Sequence, residues 1–474
     1  MTTFFIGLVI LVVGYFTYGA YVDKIFEPDE KRITPAHSER DDVDFLPLSF
    51  RKNALIQLLN IAGTGPIFGA IQGALFGPIA FILIPIGNIL AGSVHDYSIS
   101  LISLRNKGAG LPKLAHQFLG KFMYHLVNAF TALLLLLVGA VFVKSPADLF
   151  SLMFGVTATA VAIGIFIYYI FATFLPVDKI IGRFYPVFGA LLIISSIAIF
   201  FGILFKGYHV PNLDLARINA HPDILPLFPL FFTTVACGLI SGFHATQSPI
   251  VARTLENEKQ GRTIFYGMMV VEGLIAMIWA LAAMVIFREG GQLDLVTYAS
   301  NPAAVVKDVA TLVLGAGFGS IAVIGIIILP ITSGDTAFRS LRMIIAEYVN
   351  LKQSDIKNRL KISLPIFLVG FALVFFIDFN ILWRYFAWAN QTVAAITLLV
   401  ASSYLYKEAK PYLVTLIPGI FLLYVTYAYI LNAKIGFNLP WNLSYIIGAI
   451  LTLGSAYLFI KTVRKPDTET LEKG

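Results

Sequence analysis

Runs of roughly 20 apolar residues recur along the chain and are separated by only short polar segments. About 20 residues of helix cross the hydrocarbon core of a bilayer, and every spanning segment must satisfy its own backbone hydrogen bonds. Only 13% of the 474 residues are charged, and the mean hydropathy is +0.82. The sequence therefore predicts an all-α integral membrane protein without a sizeable soluble domain.

We predict about thirteen transmembrane helices. The first lacks a basic flank on its N-terminal side and is followed by Lys24, Lys31 and Arg32. We interpret it as an uncleaved anchor, with a cleaved signal peptide as the alternative. The predicted spans are 3–22, 52–74, 77–104, 122–143, 149–173, 184–205, 225–250, 264–287, 316–347, 362–378, 384–403, 412–432 and 441–460.

The distribution of basic residues predicts the orientation of these spans. With the N-terminus outside, only 7 of the 34 Lys and Arg residues fall on the outer side and 27 fall on the cytoplasmic side. This asymmetry obeys the positive-inside rule and places the C-terminus in the cytoplasm. The net charge of +7 therefore reflects orientation in the cell membrane, and we predict lipid contact and no nucleic-acid partner.

The predicted spans divide into two sets of five that enter the membrane from opposite sides. This arrangement is typical of transporters with a 5+5 inverted-repeat core, in which the first helix of each repeat is discontinuous. We expect an anchor helix at 1–22, a cytoplasmic loop at 23–51, the repeats at 52–205 and 225–403, and two further helices with a short tail at 412–474. We predict that an insertion at 288–315 forms an outer lid, with a loop that caps the bundle as the alternative.

Each predicted repeat begins with a helix that Gly and Pro interrupt, at residues 61–67 and 241–250. Such breaks free N–H and C=O groups at bilayer depth, and the partial positive charge at a half-helix N-terminus suits a carboxylate. Thr64 and Ser248 are the candidate N-caps. The alternative is a pair of kinks that serve packing alone. The candidate substrate-binding residues are Gly63, Thr64, Gly65, Ser241, Gly242, His244 and Ser248.

Hydroxyl groups in the ninth span suggest a site for a coupling cation. Leu329, Thr332 and Ser333 share one helix face, and their oxygens together with the carbonyl of Ile61 could form a Na⁺ shell. The alternative is that the hydroxyls bond to their own or neighbouring helices. We predict no cofactor apart from Na⁺ or H⁺ as the coupling ion.

Ionisable residues within apolar spans are costly and indicate function by default. His95, Asp96, His244, Glu272 and Asp335 are the candidates for ion coupling. Neighbouring residues on a helix point about 100° apart, so His95 and Asp96 need not pair. Glu272 either finds a partner on another helix or carries a proton, and His244 either titrates or bonds the freed backbone. Arg339 at i+4 favours a structural ion pair for Asp335.

The sequence offers no motif on which enzyme chemistry could rest. One cysteine, Cys237, cannot form an internal disulfide or a thiol-pair metal site, and no nucleophile elbow, HExxH or P-loop occurs. The lack of an ATP-binding motif favours secondary transport of a small molecule. A membrane subunit that binds a nutrient and signals through a partner is the alternative function.

Ordered motifs along most of the chain resemble the carbon starvation protein A (CstA) family of bacterial inner-membrane transporters, grouped with the amino acid-polyamine-organocation superfamily. They include Ala-Gly-Ser-Val-His-Asp at 91–96 and a nine-residue stretch that ends at His244. The matching segments are 34–37, 43–44, 61–66, 91–96, 105–108, 236–244, Glu272 and 335–339.

The resemblance implies uptake of peptides or pyruvate, driven by an ion gradient, on a five-plus-five bundle. Family members are often considerably longer than this chain. Many members also place Gly-His-His-Phe before the first break, where this sequence has Leu55, Ile56, Gln57 and Leu58. If the histidine pair supports proton coupling or substrate choice, either property has changed here.

Overall fold

The computed structural model describes residues 1–464 except Val43, 174–176, Leu293 and Ser354, with the backbone alone for 177–186 and Phe188. The motif residue Val43 and the predicted tail at 465–474 lie outside the described residues. The regular structure of the described chain is helical. This agrees with the predicted all-α class.

The α-helices differ widely in length, from single turns to spans of more than forty residues. Two π-helical turns, at Asn88–Gly92 and Arg262–Gly267, continue directly into longer helices. The α-helices are Thr2–Phe16, Tyr18–Phe26, Pro35–Ser38, Phe50–Ile61, Gly65–Gly73, Ala80–Gly87, Ser93–Arg105, Leu111–Leu119, Lys121–Phe154, Ala158–Ala172, Val177–Phe205, Leu227–Thr234, His244–Ala252, Met268–Glu289, Leu295–Ala299, Pro302–Tyr348, Ile356–Phe376, Phe379–Lys407, Leu413–Asn432 and Trp441–Val463.

Seven helices in the described ranges are long and apolar enough to cross a bilayer, and the bent pair Phe50–Ile61 with Gly65–Phe76 would make an eighth. The count of thirteen and the inverted-repeat boundaries stay predictions. Several predicted spans are short or divided: Ala158–Ala172 has 15 residues, and the helical pieces Leu227–Thr234 and His244–Ala252 have 8 and 9.

The spanning helices form a buried centre and an exposed periphery. The most apolar window of Glu258–Glu289 is 78% buried, whereas those of Thr2–Phe26 and Trp441–Val463 are only 22% and 17% buried. Apolar side chains on the peripheral helices therefore face outward, as contact with lipid requires. The centre is where a polar site is shielded from the lipid.

The first predicted break is present. Phe50–Ile61 and Gly65–Phe76 meet at an angle of 49°, and residues 62–64 between them are not helical. Pro66 lies in the first turn of the second half, where its missing N–H costs nothing. Thr64 occupies the N-cap position, but its hydroxyl accepts no hydrogen bond from the first N–H groups of this helix.

The second break separates Leu227–Thr234 and the short turn Ala236–Gly238 from His244–Ala252. The predicted N-cap role of Ser248 is wrong, because the helix begins four residues earlier and Phe243 precedes it. Pro249 therefore lies inside the helix and not in its first turn. The Gly-rich segment before His244, and not the proline, interrupts the span.

The insertion between the eighth and ninth predicted spans contains a helix that begins at Pro302. Asn301 caps it by accepting a hydrogen bond from the N–H of Ala304 at 3.2 Å. Gly315 has a φ of 78°, which non-glycine residues rarely adopt, and separates this piece from the spanning helix that continues to Tyr348. The short helix is thus a separate piece above the span.

Candidate functional site

Four ionisable side chains from three helices meet beside the second break. The carboxylate of Asp96 lies between two imidazoles, with Oδ1 at 2.8 Å from Nδ1 of His95 and Oδ2 at 2.9 Å from Nδ1 of His244. On the far side of the His244 ring, Nε2 is 3.5 Å from Oε2 of Glu272. All four residues are fully buried. We call them the ionisable cluster.

The cluster is assembled by helices that are distant in sequence. Ser93–Arg105 carries His95 and Asp96, Met268–Glu289 carries Glu272, and His244 is the first residue after the second break. Asn88 ties these elements together, because its side-chain amide donates to the carbonyls of Gly238 and Met269 at 3.1 and 2.9 Å. Glu272 thus has a neighbour on another helix, which was one of the two predicted alternatives.

Hydrogen bonding determines where the histidine protons lie. An ionised carboxylate only accepts hydrogen bonds, so both Nδ1 atoms that face Asp96 must carry a proton. The remaining basic nitrogens of the neutral rings are then the Nε2 atoms. Nε2 of His95, Nε2 of His244 and both oxygens of Glu272 have no hydrogen-bond partner among the described side chains. Nε2 of His244 and the carboxylate of Glu272 therefore face each other without a further hydrogen-bond partner among the described residues.

The cost of burial makes this arrangement sensitive to charge. Removing one partner from a buried ion pair typically costs about 3–5 kcal/mol, because an uncompensated charge remains. Here two carboxylates flank the ring of His244, so a proton on either His244 or Glu272 reduces the repulsion between Asp96 and Glu272.

Asn390 holds the backbone of the second break in place. Its Oδ1 accepts hydrogen bonds from the hydroxyl of Ser241 at 3.1 Å and from the N–H of Phe243 at 2.8 Å. A Cβ atom on Gly242 would collide with the carbonyl of Asn390 and would lie 2.6 Å from the N atom of Ala394. Only glycine fits here, because the neighbouring helix Phe379–Lys407 presents its backbone to the break.

The first break contains no ionisable side chain. A Cβ on Gly63 would lie 2.7 Å from the tip of the Phe142 ring, and one on Gly65 would collide with the Sγ of Cys237. The Oγ1 of Thr64 is buried and has no partner within the described chain. The two breaks therefore approach each other at Gly65 and Cys237.

Backbone donors are free at both breaks. The N–H groups of Thr64, Ser241 and Gly242 have no acceptor in the part of the chain that the structure describes. Buried N–H groups without partners are rare, and such groups at interrupted helices bind anions in other proteins. These three donors form the part of the site that suits a carboxylate.

One side-chain hydrogen bond joins the two broken helices directly. The amide of Gln57 donates to the hydroxyl of Ser248 at 2.9 Å, and both side chains are fully buried. Gln57 lies in the segment 55–58, where many family members have Gly-His-His-Phe. Ser248 therefore contacts the other broken helix and does not cap its own.

The predicted cation ligands are placed in two different environments. The hydroxyl of Thr332 donates to the carbonyl of Leu329 at 2.7 Å within its own helix, as the structural alternative proposed. Ser333 is buried and lies 3.5 Å from the carbonyl of Leu59, beside the first break. The carbonyl of Ile61 accepts the N–H of Gly63 at 2.9 Å. Ser333 and Ile61 adjoin the same break, whereas the Thr332 hydroxyl is engaged elsewhere.

Asp335 lies apart from the ionisable cluster. Its Oδ2 is 3.3 Å from Nη2 of Arg339, in the i,i+4 pairing expected from the sequence. Arg339 also donates to the carbonyl of Ala172 at 3.3 Å. This geometry supports a structural ion pair that joins neighbouring helices.

With this geometry in place, the sequence can be compared with known proteins. The sequence profile described as carbon starvation protein CstA matches residues 1–151, 143–322 and 288–429. The chain belongs to the carbon starvation protein CstA family. The predicted resemblance is thereby confirmed across the two broken helices and the ionisable cluster.

Relatives of this CstA-family chain include uncharacterised and named proteins. An uncharacterised membrane protein of Haemophilus influenzae is 43% identical over 340 residues, covering 61% of this chain and 92% of the relative. The peptide transporter CstA of Campylobacter jejuni is 26% identical over 58% of this chain and 49% of the relative. The pyruvate/proton symporter BtsT of Escherichia coli is 25% identical over 58% and 48%. The chain thus spans about half the length of both named relatives.

Solved structures support the fold. A manganese transporter of Eremococcus coleocola aligns with a TM-score of 0.56 at 12% identity and covers 90% of this chain and 95% of its own. This similarity shows the fold alone and confirms the predicted all-α membrane class. The named relatives are transporters, which confirms the prediction that the protein is not an enzyme.

At its predicted outer side the CstA-family chain has a pocket of about 390 Å³. Phe68, four residues after Thr64, forms part of its wall and packs against Phe379 and Trp383 with ring centres 6.1 and 6.2 Å apart. We call this cavity the outer pocket. Its lining residues are Phe68, Lys144, Ser145, Asp148, Ser151, Leu152, Ser300, Asn301, Pro302, Ala303, Asp378, Phe379 and Asn380.

The predicted cytoplasmic side is closed by buried ion pairs. The carboxylate of Glu258 is fully buried and accepts from Nε of Arg105 at 2.5 Å, from Arg32 at 3.2 Å and from the N–H of Asp29 at 3.0 Å. The predicted cytoplasmic loop at 23–51 supplies Arg32, and Thr34, Pro35 and Ala36 within it are buried. It packs over the inner ends of the helices that carry Asp96 and Glu272.

Sequence reasoning did not identify Asn390, Glu258 or Asp148 as functional candidates, and it noted Gln57 only as a departure from the family pattern. Asn390 could have been found as an amide within an apolar span, since intramembrane polar groups need partners. Glu258 gave no such signal, because it lies in a short polar loop.

Proposed function

We propose that this protein is a secondary active transporter that takes up short peptides or small carboxylates such as pyruvate, driven by a proton gradient. Alternating access would occur around the two helix breaks. The observation that carries the proposal is the buried contact of His244 with Asp96 and Glu272 at the second break. The names of two relatives, a peptide transporter and a pyruvate/proton symporter, support the substrate classes.

The geometry favours protons over Na⁺ as the coupling ion. The ionisable cluster consists of groups that bind protons, and Glu272 lacks any hydrogen-bond donor among the described residues. Among the predicted Na⁺ ligands, Ser333 and Ile61 adjoin the first break, whereas the Thr332 hydroxyl bonds to Leu329 in its own helix. A proton shared by His244 and Glu272 is therefore the coupling element that we propose.

Alternating access is supported by the difference between the two ends of the bundle. The outer pocket reaches the half-helix that begins at the first break, whereas Glu258 and Arg105 close the opposite end. Asp96 and Arg105 lie on one helix, Ser93–Arg105, so a change at the ionisable cluster can be transmitted to the closing ion pairs. We propose that this structure represents a state accessible from the predicted outer side.

Transport by purified protein in liposomes tests the proposal. Labelled pyruvate, dialanine and trialanine are supplied with an inward proton gradient, an inward Na⁺ gradient or no gradient. We expect accumulation of at least one substrate with the proton gradient, and its collapse when a protonophore is added. Accumulation with the Na⁺ gradient alone would contradict proton coupling, and no gradient-dependent accumulation of any substrate would contradict the proposed function.

A further inference from the structure

The outer pocket contains an acidic side chain that forms no hydrogen bond and no close ion pair with the described residues. Asp148 lines the pocket, is partly buried, and makes no hydrogen bond with any other described residue. A carboxylate in a partly buried setting is costly unless a cation or hydrogen-bond donors compensate it. Asp148 is therefore positioned for a positively charged group that comes from outside the chain.

The pocket's own cation is engaged elsewhere. Nζ of Lys144 donates to the carbonyls of Val374 and Ile377, each at 2.9 Å, at the C-terminal end of the helix Ile356–Phe376. Cations stabilise helix C-termini through the helix dipole and the free carbonyls. Lys144 also lies farther than 4 Å from Asp148, so the two do not form a salt bridge. With Asp378 also in the lining, the formal charge of the pocket is −1.

A second polar group points to a ligand. Ser145 lines the pocket, is only 1% exposed, and its hydroxyl has no partner among the described residues. Ser145 and Asp148 are three residues apart and lie on the same side of the helix Lys121–Phe154. Together they offer a hydroxyl oxygen and a carboxylate to one small donor-rich group, as an ammonium would be.

The pocket is also in the right place to receive a substrate. Phe142, one turn before Ser145, packs against Gly63 and lies 6.0 Å from the ring of Phe243. Phe68 and Phe142 thus stand between the outer pocket and the two breaks. A volume of about 390 Å³ falls in the usual range for small-ligand sites and accommodates a short peptide.

We propose that the outer pocket is a binding subsite for the primary ammonium group of a zwitterionic substrate, with Asp148 as counter-ion and Ser145 as hydrogen-bond acceptor. This rests on the proposed function and deepens it, because a pocket of net negative charge admits a peptide with a free amino group and disfavours a simple monocarboxylate. The carboxylate of the same substrate would be left for the free N–H groups at the breaks.

Equilibrium binding to the purified protein in detergent tests this proposal independently of transport. Dialanine, N-acetyl-dialanine and pyruvate are titrated calorimetrically into the wild type, Asp148→Asn and Ser145→Ala. Asp223→Asn is the matched control, since Asp223 is an exposed acid on the predicted outer side that does not line the pocket. We expect the wild type to bind dialanine at least about tenfold more tightly than the other two ligands, since only dialanine brings an ammonium group that can pair with Asp148.

Asp148→Asn should weaken dialanine binding by at least about tenfold and remove the preference over N-acetyl-dialanine. Ser145→Ala should weaken dialanine binding to a smaller extent. Asp223→Asn should leave dialanine binding unchanged. Equal binding of dialanine and N-acetyl-dialanine by the wild type, or unchanged binding by Asp148→Asn, would overturn the subsite. Uptake assays on the same samples separate the two proposals: binding with this preference but without gradient-driven accumulation would overturn transport and leave the subsite standing.

Discussion

The two helix breaks share a backbone architecture but differ in chemistry. Both interrupt a buried helix with glycine. Both also leave N–H groups without acceptors among the described residues, at Thr64 in the first and at Ser241 and Gly242 in the second. Only the second break is surrounded by ionisable side chains, with His244 between Asp96 and Glu272. The first break is lined instead by Phe142 and Cys237.

This difference suggests a division of roles. The first break offers backbone donors and an unpartnered hydroxyl in an apolar setting, which suits substrate recognition. The second break offers similar donors and adds a proton-binding group, so it can make substrate binding depend on protonation. In our account, both breaks hold the substrate and the second one couples its movement to the proton.

The largest expected effect comes from removing the acid next to the second break. Glu272→Gln keeps the shape of the side chain but cannot take up or release a proton. Gradient-driven accumulation should fall to the level of empty liposomes, while substrate exchange without a gradient should continue. Counterflow and accumulation assays on the same preparation measure the two quantities.

Asp335→Asn is the matched control for Glu272→Gln, because it removes another buried acid of the membrane core that lies outside the ionisable cluster. It should retain coupling and lower the free energy of unfolding by about 3–5 kcal/mol, because Arg339 loses its buried partner. If Asp335→Asn abolished coupling and Glu272→Gln did not, the division of roles would have to be abandoned.

A single methyl group should distinguish the two breaks. A Cβ on Gly242 meets backbone atoms of Asn390 and Ala394, which cannot move aside, whereas a Cβ on Gly63 meets the tip of the Phe142 side chain, which can rotate away. Gly242→Ala should destabilise the protein by about 1–3 kcal/mol or more and abolish transport. Gly63→Ala should be folded and partly active. Thermal unfolding and uptake measure both effects, and equal tolerance at the two sites would contradict the described packing.

Asn390→Leu should weaken the second break alone. It removes the acceptor for the Ser241 hydroxyl and the Phe243 N–H. Leaving a buried donor unsatisfied costs about 1–3 kcal/mol of stability. We expect a lower unfolding temperature and reduced substrate affinity. Thr392→Val on the same helix is the control, because among the described residues the Thr392 hydroxyl bonds only to the carbonyl of Trp388 in its own helix. Similar stability for both variants would count against the role of Asn390.

The smallest expected effect concerns the hydrogen bond between the broken helices. Gln57→Leu and Ser248→Ala each remove the Gln57–Ser248 bond. A double-mutant cycle on thermal stability should give a coupling energy of about 1 kcal/mol, the usual net value of a buried hydrogen bond. Additive effects of the two substitutions would show that the helices are not joined through this contact.

The positions of both breaks could be predicted because Gly and Pro act locally on the backbone. The Asp335–Arg339 pair was predictable for the same reason, since i,i+4 neighbours always lie on one helix face. The predicted N-cap role of Ser248 is wrong because that prediction starts the half-helix at the proline. The contact of Gly242 with Asn390 ends the interruption earlier, so the helix begins at His244.

The assembly of the site was not predictable from local patterns. Asp96 and His244 are 148 residues apart, and Gln57 and Ser248 are 191 residues apart. Individual polar residues in apolar spans could be recognised as costly, but which of them meet depends on how the helices pack. The closing contacts of Glu258 likewise depend on helix packing, since Arg105 and Arg32 are distant from it in sequence.

Proton movement triggered by substrate is the most direct test of the central claim that the second break couples transport to protonation. A pH-sensitive dye is enclosed in liposomes that contain the wild type or Glu272→Gln, and dialanine or pyruvate is added outside without an imposed gradient. The account predicts acidification of the interior with the wild type and none with Glu272→Gln. Substrate uptake by the wild type without acidification, or equal acidification by both proteins, would contradict it.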